Sequence, residues 1–179
     1  MARTHLARTG LLLALLLTVQ ALRLVLPLPP FITMFGIGSA VNACLLVAAL
    51  FVGLHAALLM AVIAPTVAWM QQMLPLPILI VPVAIANAVY LTVFFWLFHR
   101  QRWLAVFAAA AVKMAAMYAV TDWLLRFAAL PELPAKLLRL MFSWPQLVTG
   151  ALGGALCLLI VERLRKTGVY TPEDEKSSD

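Results

Sequence analysis

Apolar residues fall in six blocks along this chain. Each is about as long as a bilayer-crossing helix, and each is closed by proline or by a short polar or basic cluster. The first runs from Gly10 to Leu26 and ends at Pro27-Leu28-Pro29-Pro30. The second spans about Gly36 to Leu54, and the third about His55 to Leu74, ending at Pro75 and Pro77. The fourth is Ile78 to Phe98, closed by His99-Arg100-Gln101-Arg102. The fifth is Trp103 to Leu130, closed by Pro131 and Pro134. The sixth is Leu137 to Val161, followed by Glu162-Arg163-Leu164-Arg165-Lys166. The pattern predicts six helices, with kinks at the prolines Pro65 and Pro82. The polar stretch Thr167 to Asp179 is expected to be a disordered tail.

Composition sets these helices in a membrane. Of 179 residues, 65% are hydrophobic and 11% charged, against about 45–50% and about 25% in soluble domains. The mean hydropathy is +1.02. A core of this size cannot hide that much apolar surface from water. An ordinary soluble domain, a disordered chain and a nucleic-acid-binding module are all excluded. Six spans use roughly 120 residues, which leaves loops and tails and no room for a soluble catalytic domain. The expected fold is all-α: a polytopic membrane protein with six transmembrane helices in one compact bundle over residues 1–166.

Net charge is +6, and the basic residues sit at block ends, where they act as topology signals. With the N-terminus in the cytoplasm, Arg3, Arg8, Arg100, Arg102, Arg163, Arg165, Lys166 and Lys176 lie inside. Arg23, Arg126, Lys136 and Arg139 lie outside, so the split is eight to four and both termini are expected in the cytoplasm. Met1 to Ala21 also has the form of a signal peptide, but the apolar run continues to Leu26, which favours a retained helix. Cys44 and Cys157 lie inside apolar blocks without metal-type spacing and read as small buried hydrophobes.

Polar residues inside spans are costly and tend to face the bundle or a wet cavity. Here they are Gln20 and Arg23, Ser39 and Asn42, Gln71 and Gln72, Asn87 and Tyr90, Lys113, Tyr118, Asp122, Trp123 and Arg126, then Ser143, Trp144, Gln146 and Thr149. On the expected topology they gather in the outer half of the bundle. This predicts a pocket open outside and closed below. Several have a second reading. Arg23 and Arg126 read equally as snorkelling cations. Asp122 and Arg126, four apart with the acid first, form a favourable pair that reads as structural as easily as functional. Lys113 is nine residues from Asp122, on the opposite side of the helix. It needs another partner: a carbonyl freed by Pro82 or Pro145, or a ligand anion. Asn42 and Asn87 also read as interhelical glue, and Trp144 and Trp123 as interfacial belt residues.

Small residues form two stripes. Gly10, Ala14 and Thr18 recur every four positions in the first block, and Ser143, Gln146, Gly150, Gly153 and Gly154 lie along one face of the sixth. The sixth-block stripe fits internal packing, whereas the first has the form of a docking groove. Catalytic constellations are missing: there is no H-E-x-x-H, no G-x-S-x-G, no P-loop and no paired intramembrane carboxylate. No enzyme, metal site or cofactor is expected.

The chain resembles the substrate-binding (S) component of energy-coupling factor (ECF) transporters. The residues that carry the resemblance are Gly10-x-x-x-Ala14, the proline-rich first loop followed by Gly38-Ser39-Ala40-Val41-Asn42-Ala43, Ile85-Ala86-Asn87-Ala88, Lys113, and Met141-Phe142-Ser143-Trp144-Pro145-Gln146-Leu147-Val148-Thr149. The resemblance implies capture of a small vitamin or micronutrient at a bacterial plasma membrane. The loops Pro27 to Phe35 and Pro75 to Ile78 would gate the cavity. Asn42, Asn87, Lys113, Tyr118, Asp122, Ser143, Trp144 and Gln146 are the substrate-binding candidates. The small face Gly10, Ala14 and Thr18 would contact a transmembrane T component, with two cytoplasmic ATPases driving the cycle in trans. Gly10 stands where that family usually has alanine. Lys113 and the arginines point to an anionic substrate, and the aromatic residues to a flat ring. The alternative is a rod-shape-determining membrane scaffold of the MreD type, which binds proteins and no small molecule.

Overall fold

The computed structural model describes residues 2–26, 29–127 and 131–167, and within them every regular element is helical. Leucine and alanine dominate the helices, and such segments satisfy their backbone polar groups internally, as hydrocarbon requires. The elements are α1 (Ala2–Val25), α2 (Pro30–Ile32), α3 (Gly38–Phe51), α4 (Leu54–Met70), α5 (Ile80–Phe98), α6 (Arg102–Phe127), α7 (Glu132–Met141) and α8 (Trp144–Lys166). A π-helical turn, Thr33–Ile37, leads into α3, and a 3-10 turn, Pro77–Leu79, leads into α5. Five stretches are long and apolar enough to cross a membrane: His5–Val25, Thr33–Phe51, Pro77–Phe98, Arg102–Phe127 and Glu132–Lys166. The 17-residue α4 is a shorter apolar helix and completes six. The chain is therefore an all-helical polytopic membrane bundle.

Connections between the helices are short, so neighbours alternate in direction. We call the end where α1, α4 and α6 finish and α3, α5 and α8 begin the upper end. The α3–α4 turn at the lower end is only Val52-Gly53. Gly53 takes φ 113°, a conformation that a side chain would strain. The expected tail beyond Thr167, together with Pro27 and Leu28 of the first loop, lies outside the described residues.

Two boundaries differ from the pattern reading. The sixth block is not one helix. Its start belongs to α7, and the chain breaks at Phe142–Ser143 before α8. Pro145 explains the break. It has no N–H to offer the Met141 carbonyl, and its fixed φ suits the first turn of a new helix, where it stands in α8. The Gln146 side chain takes over, with Nε2 donating to the Met141 carbonyl at 3.3 Å. Pro82 is not a mid-span kink either. It is the third residue of α5, in the first turn, where the helix has no bond for it to break. Pro65 does lie inside α4.

The core divides by height. Leu16, Leu45, Leu46, Met60, Leu91, Phe94, Phe98, Val106, Cys157 and Val161 belong to one fully apolar cluster that fills the lower half. A smaller cluster of Leu79, Ala86, Met117, Leu125, Leu138 and Phe142 sits at the upper end. Between lipid-immersed helices the hydrophobic driving force is weak, and close approach of small residues carries the packing. The seam is on α8. A Cβ on Gly150 would stand 3.1 Å from the Ala110 Cβ, and one on Gly154 2.8 Å from the Val106 side chain, both on α6. A Cβ on Gly153 would stand 2.5 Å from the Asn42 Cβ and 2.9 Å from the Ser39 carbonyl on α3. The glycine stripe of the sixth block therefore faces inward, whereas a Cβ on Gly10 would meet nothing within 4 Å.

These contacts predict that Gly153→Ala forces α3 and α8 apart and lowers stability by about 1–3 kcal/mol. Gly10→Ala should not lower stability, because its Cβ meets open space and alanine favours the helix by up to about 1 kcal/mol. Thermal unfolding of both variants in detergent, measured side by side, checks the contrast.

Candidate binding cavity

Lys113 sits on α6, eleven residues after Arg102 and fourteen before Phe127. At 1.5 Å per residue its Cα is about 17 Å from one end of the helix and about 21 Å from the other. That depth is too great for the ammonium to reach either interface easily, and the residue is only 2% exposed. Its Nζ donates to the Asn42 Oδ1 on α3. It also lies 4.9 Å from the centroid of the Tyr90 ring on α5, a cation–π distance. Tyr90 is held in turn by its hydroxyl, which donates to the Gly150 carbonyl at 2.7 Å. Lys113 thus joins α3, α5, α6 and α8. Its partner is a side-chain amide, and neither Pro82 nor Pro145 supplies a carbonyl to it.

Above this cluster is a cavity of about 200 Å³. Its floor carries the polar side chains Lys113, Asn42, Asn87 and Thr149, and Gln146, in the first turn of α8, lines it nearer the upper end. Gln20 and Arg23 come from α1, three apart and on one face, and Ala64 and Pro65 come from α4. The π-turn contributes Thr33, Met34 and Ile37. Such turns widen a helix locally and often occur at functional sites. Met73, Met117 and Met141 join Met34 to make a soft apolar wall. Gln20 is 4% exposed. Its Nε2 donates to the Ala64 carbonyl at 3.1 Å, and its Oε1 is buried with no partner.

Of the residues expected to bind substrate, the structure brings Asn42, Asn87, Lys113 and Gln146 together. Tyr118, Asp122, Ser143 and Trp144 lie outside the lining. Tyr118 is 46% exposed on the outside of α6. At 100° per residue it is turned well away from Lys113, and Asp122 is turned fully opposite. Asp122 accepts from Arg126 Nη2 at 2.8 Å and from Arg139 Nε at 2.9 Å, which ties α7 to α6. Ser143 Oγ donates to the Leu140 carbonyl at 2.7 Å and so closes the α7–α8 joint. Trp144 packs its ring against Phe35 at 5.9 Å on the rim. The cavity residues missing from the expected set are Gln20, Arg23, Thr33 and Thr149. Gln20, Arg23 and Thr149 were visible as polar residues within spans, whereas Thr33 fell in what read as a loop.

On α1 the Gly10, Ala14 and Thr18 face is exposed, and Thr18 hides its hydroxyl by donating to the Ala14 carbonyl at 2.8 Å. Among the described residues, no group of three or more His, Cys, Asp or Glu could hold a metal ion. Fold and cavity define the class: an all-helical membrane bundle with a buried lysine at the base of a largely apolar cavity that carries a few polar side chains. Compared with protein-family models, with curated proteins and with solved structures, the chain matches none.

Two outcomes test this geometry. Asn42→Ala leaves the Lys113 ammonium without its acceptor and should lower stability by about 2 kcal/mol. Asn42→Ala with Lys113→Met should recover part of the loss, because no stranded charge remains; a double-mutant cycle by thermal unfolding measures the coupling. Asp122→Asn should speed hydrogen exchange of the α7 amides while leaving the α3–α8 seam protected.

Proposed function

We propose that this protein is the membrane-embedded substrate-capture subunit of an ECF-type importer for a small vitamin or micronutrient. The observation that carries the reading is the vertical division of the bundle. A cavity with a cluster of polar side chains and a buried lysine at its base sits on a lower half in which the buried side chains, among the described residues, are apolar. A scaffold that binds only proteins needs no cavity beside Lys113, whereas a buried lysine with donors to spare next to a cavity suits a ligand. A capture subunit needs that cavity and needs it closed below. The capture reading also gives the α1 face a role. Gly10 and Ala14 lie in the lower half of α1, exposed and smooth, where a T component would dock in the plane of the membrane. In this reading both termini are cytoplasmic, and two ATPases supply the energy through the T component.

Native mass spectrometry of the protein released from membranes tests the capture step. One small molecule per chain is expected. Protein that carries none, and whose thermal transition responds to no small molecule, sinks the reading. For the docking step, Ala14→Leu should abolish co-purification of a T component from the native membrane. Its thermal transition should stay unchanged, because Ala14 is exposed and supports no packing.

A further inference from the structure

We infer that the cavity takes a small organic carboxylate that also carries an N–H or O–H donor, with its carboxylate on Lys113 and its donor on Gln20. The inference rests on the capture reading and names the substrate class of that same site.

Charge comes first. Lys113 and Arg23 line one cavity, and neither has a counter-ion among the described residues. Every described carboxylate is engaged elsewhere: Asp122 with Arg126 and Arg139, Glu132 with Lys136 at 3.7 Å, and Glu162 with Lys166 at 2.9 Å. An ammonium has three donors. Lys113 uses one on Asn42 and rests against the Tyr90 face, so it has donors left for a bound anion. A carboxylate accepts them with charge-assisted bonds of about twice the usual strength. Arg23, half-buried and higher on the wall, gives the anion a second positive charge on its way down.

Polarity adds the second requirement. The Ala64 carbonyl accepts only, so the Gln20 amide must turn Nε2 to it and leave Oε1 over. That oxygen is buried without a partner in a residue that lines the cavity. A buried acceptor left empty costs about 1–3 kcal/mol, so a ligand donor there is favoured. Size limits the rest. A volume of about 200 Å³ equals roughly seven waters at about 30 Å³ each. That fits a single ring or a short chain, and the methionine wall suits its apolar part.

The test uses the full-length protein in detergent. Denaturing it as purified releases whatever it carries, for identification by mass and by coupling to an amine with carbodiimide, which marks carboxylates. A released small carboxylate supports the inference. A released neutral molecule, cation or phospholipid overturns it and leaves small-molecule capture to be judged on its own test. If nothing is released, matched probes decide: 4-hydroxybenzoate against 4-hydroxybenzamide, and 5-oxoproline against its amide, read by thermal unfolding. Stabilisation by an acid and not by its amide supports the inference, and an equal response to both overturns it. No release and no response to any probe overturns the inference and leaves small-molecule capture to be judged on its own test. With a released carboxylate or a stabilising acid as probe, Lys113→Met should weaken binding about 10- to 100-fold. Lys113→Arg should keep part of the affinity. Unchanged affinity in Lys113→Met overturns the assignment of the carboxylate to this residue, and the wild-type arms stand even where the variant fails to fold.

Discussion

A lysine ammonium held at mid-depth, with one amide oxygen and one aromatic face for partners, is the constraint on which this bundle is organised. Such a charge is tolerated only if the groups around it are fixed, because a loose partner leaves it unsolvated. Each is fixed by something else. Asn42 reaches Lys113 because Gly153 lets α8 lie against α3 with no side chain between them. Tyr90 stays beneath the ammonium because its hydroxyl is bonded to the Gly150 carbonyl. Gly150 in turn admits Ala110 of α6, the helix that carries Lys113. The glycines of α8 therefore pack the bundle and also set the position of the charge.

The upper end follows a different logic. Its segments are short and irregular: the π-turn, the 3-10 turn before α5, and the α7–α8 joint. Irregular backbone at membrane depth persists where protein covers it or where it lines a cavity: the π-turn and the α7–α8 joint line the cavity, and the 3-10 turn is anchored by Leu79 in the upper apolar cluster. Pro145 frees the Met141 carbonyl, and the residue that bonds it, Gln146, is itself in the cavity lining. Phe35 of the π-turn touches Trp144 at the start of α8. The two irregular segments are thus in contact on the rim. Tight glycine packing around Lys113 and methionines with turns above it set a close-packed seam beside an adaptable top.

Much of the fold was legible from the apolar blocks, because block length alone identifies a span. What pattern could not place was the break before α8. The residues Phe142 to Pro145 are apolar or aromatic enough to pass for span interior, and only the missing proline N–H separates them. Within the site, spacing worked inside single helices. The nine-residue offset of Asp122 from Lys113 placed it on the far face, and the same arithmetic turns Tyr118 away too. Spacing is silent between helices. Asn42 and Lys113 are 71 residues apart, and nothing in either segment names the other. Gln20 and Arg23 were visible as a face without a partner, and only the packing of α1 against α4 shows that this face looks into the cavity.

The same helix connects the two ends of the argument. On α1, Leu16 and Gln20 are buried, whereas Gly10, Ala14 and Thr18 are exposed; Ala14 and Thr18 lie about 120–160° round the helix from the buried pair, and Gly10 about 80–120°. Of the spanning helices, α1 is the least enclosed, with Gln20 donating to the Ala64 carbonyl as its side-chain hydrogen bond to the bundle. A ligand donor on Gln20 Oε1 would engage the side chain that already ties α1 to α4. The leucines of α1 pack against the core without directional bonds, so that hydrogen bond adds a directional tie between α1 and α4. Occupancy of the cavity and presentation of the small-residue face then meet in one side chain. A capture subunit that must show its loaded state to a partner in the membrane needs that connection, and a pure scaffold does not.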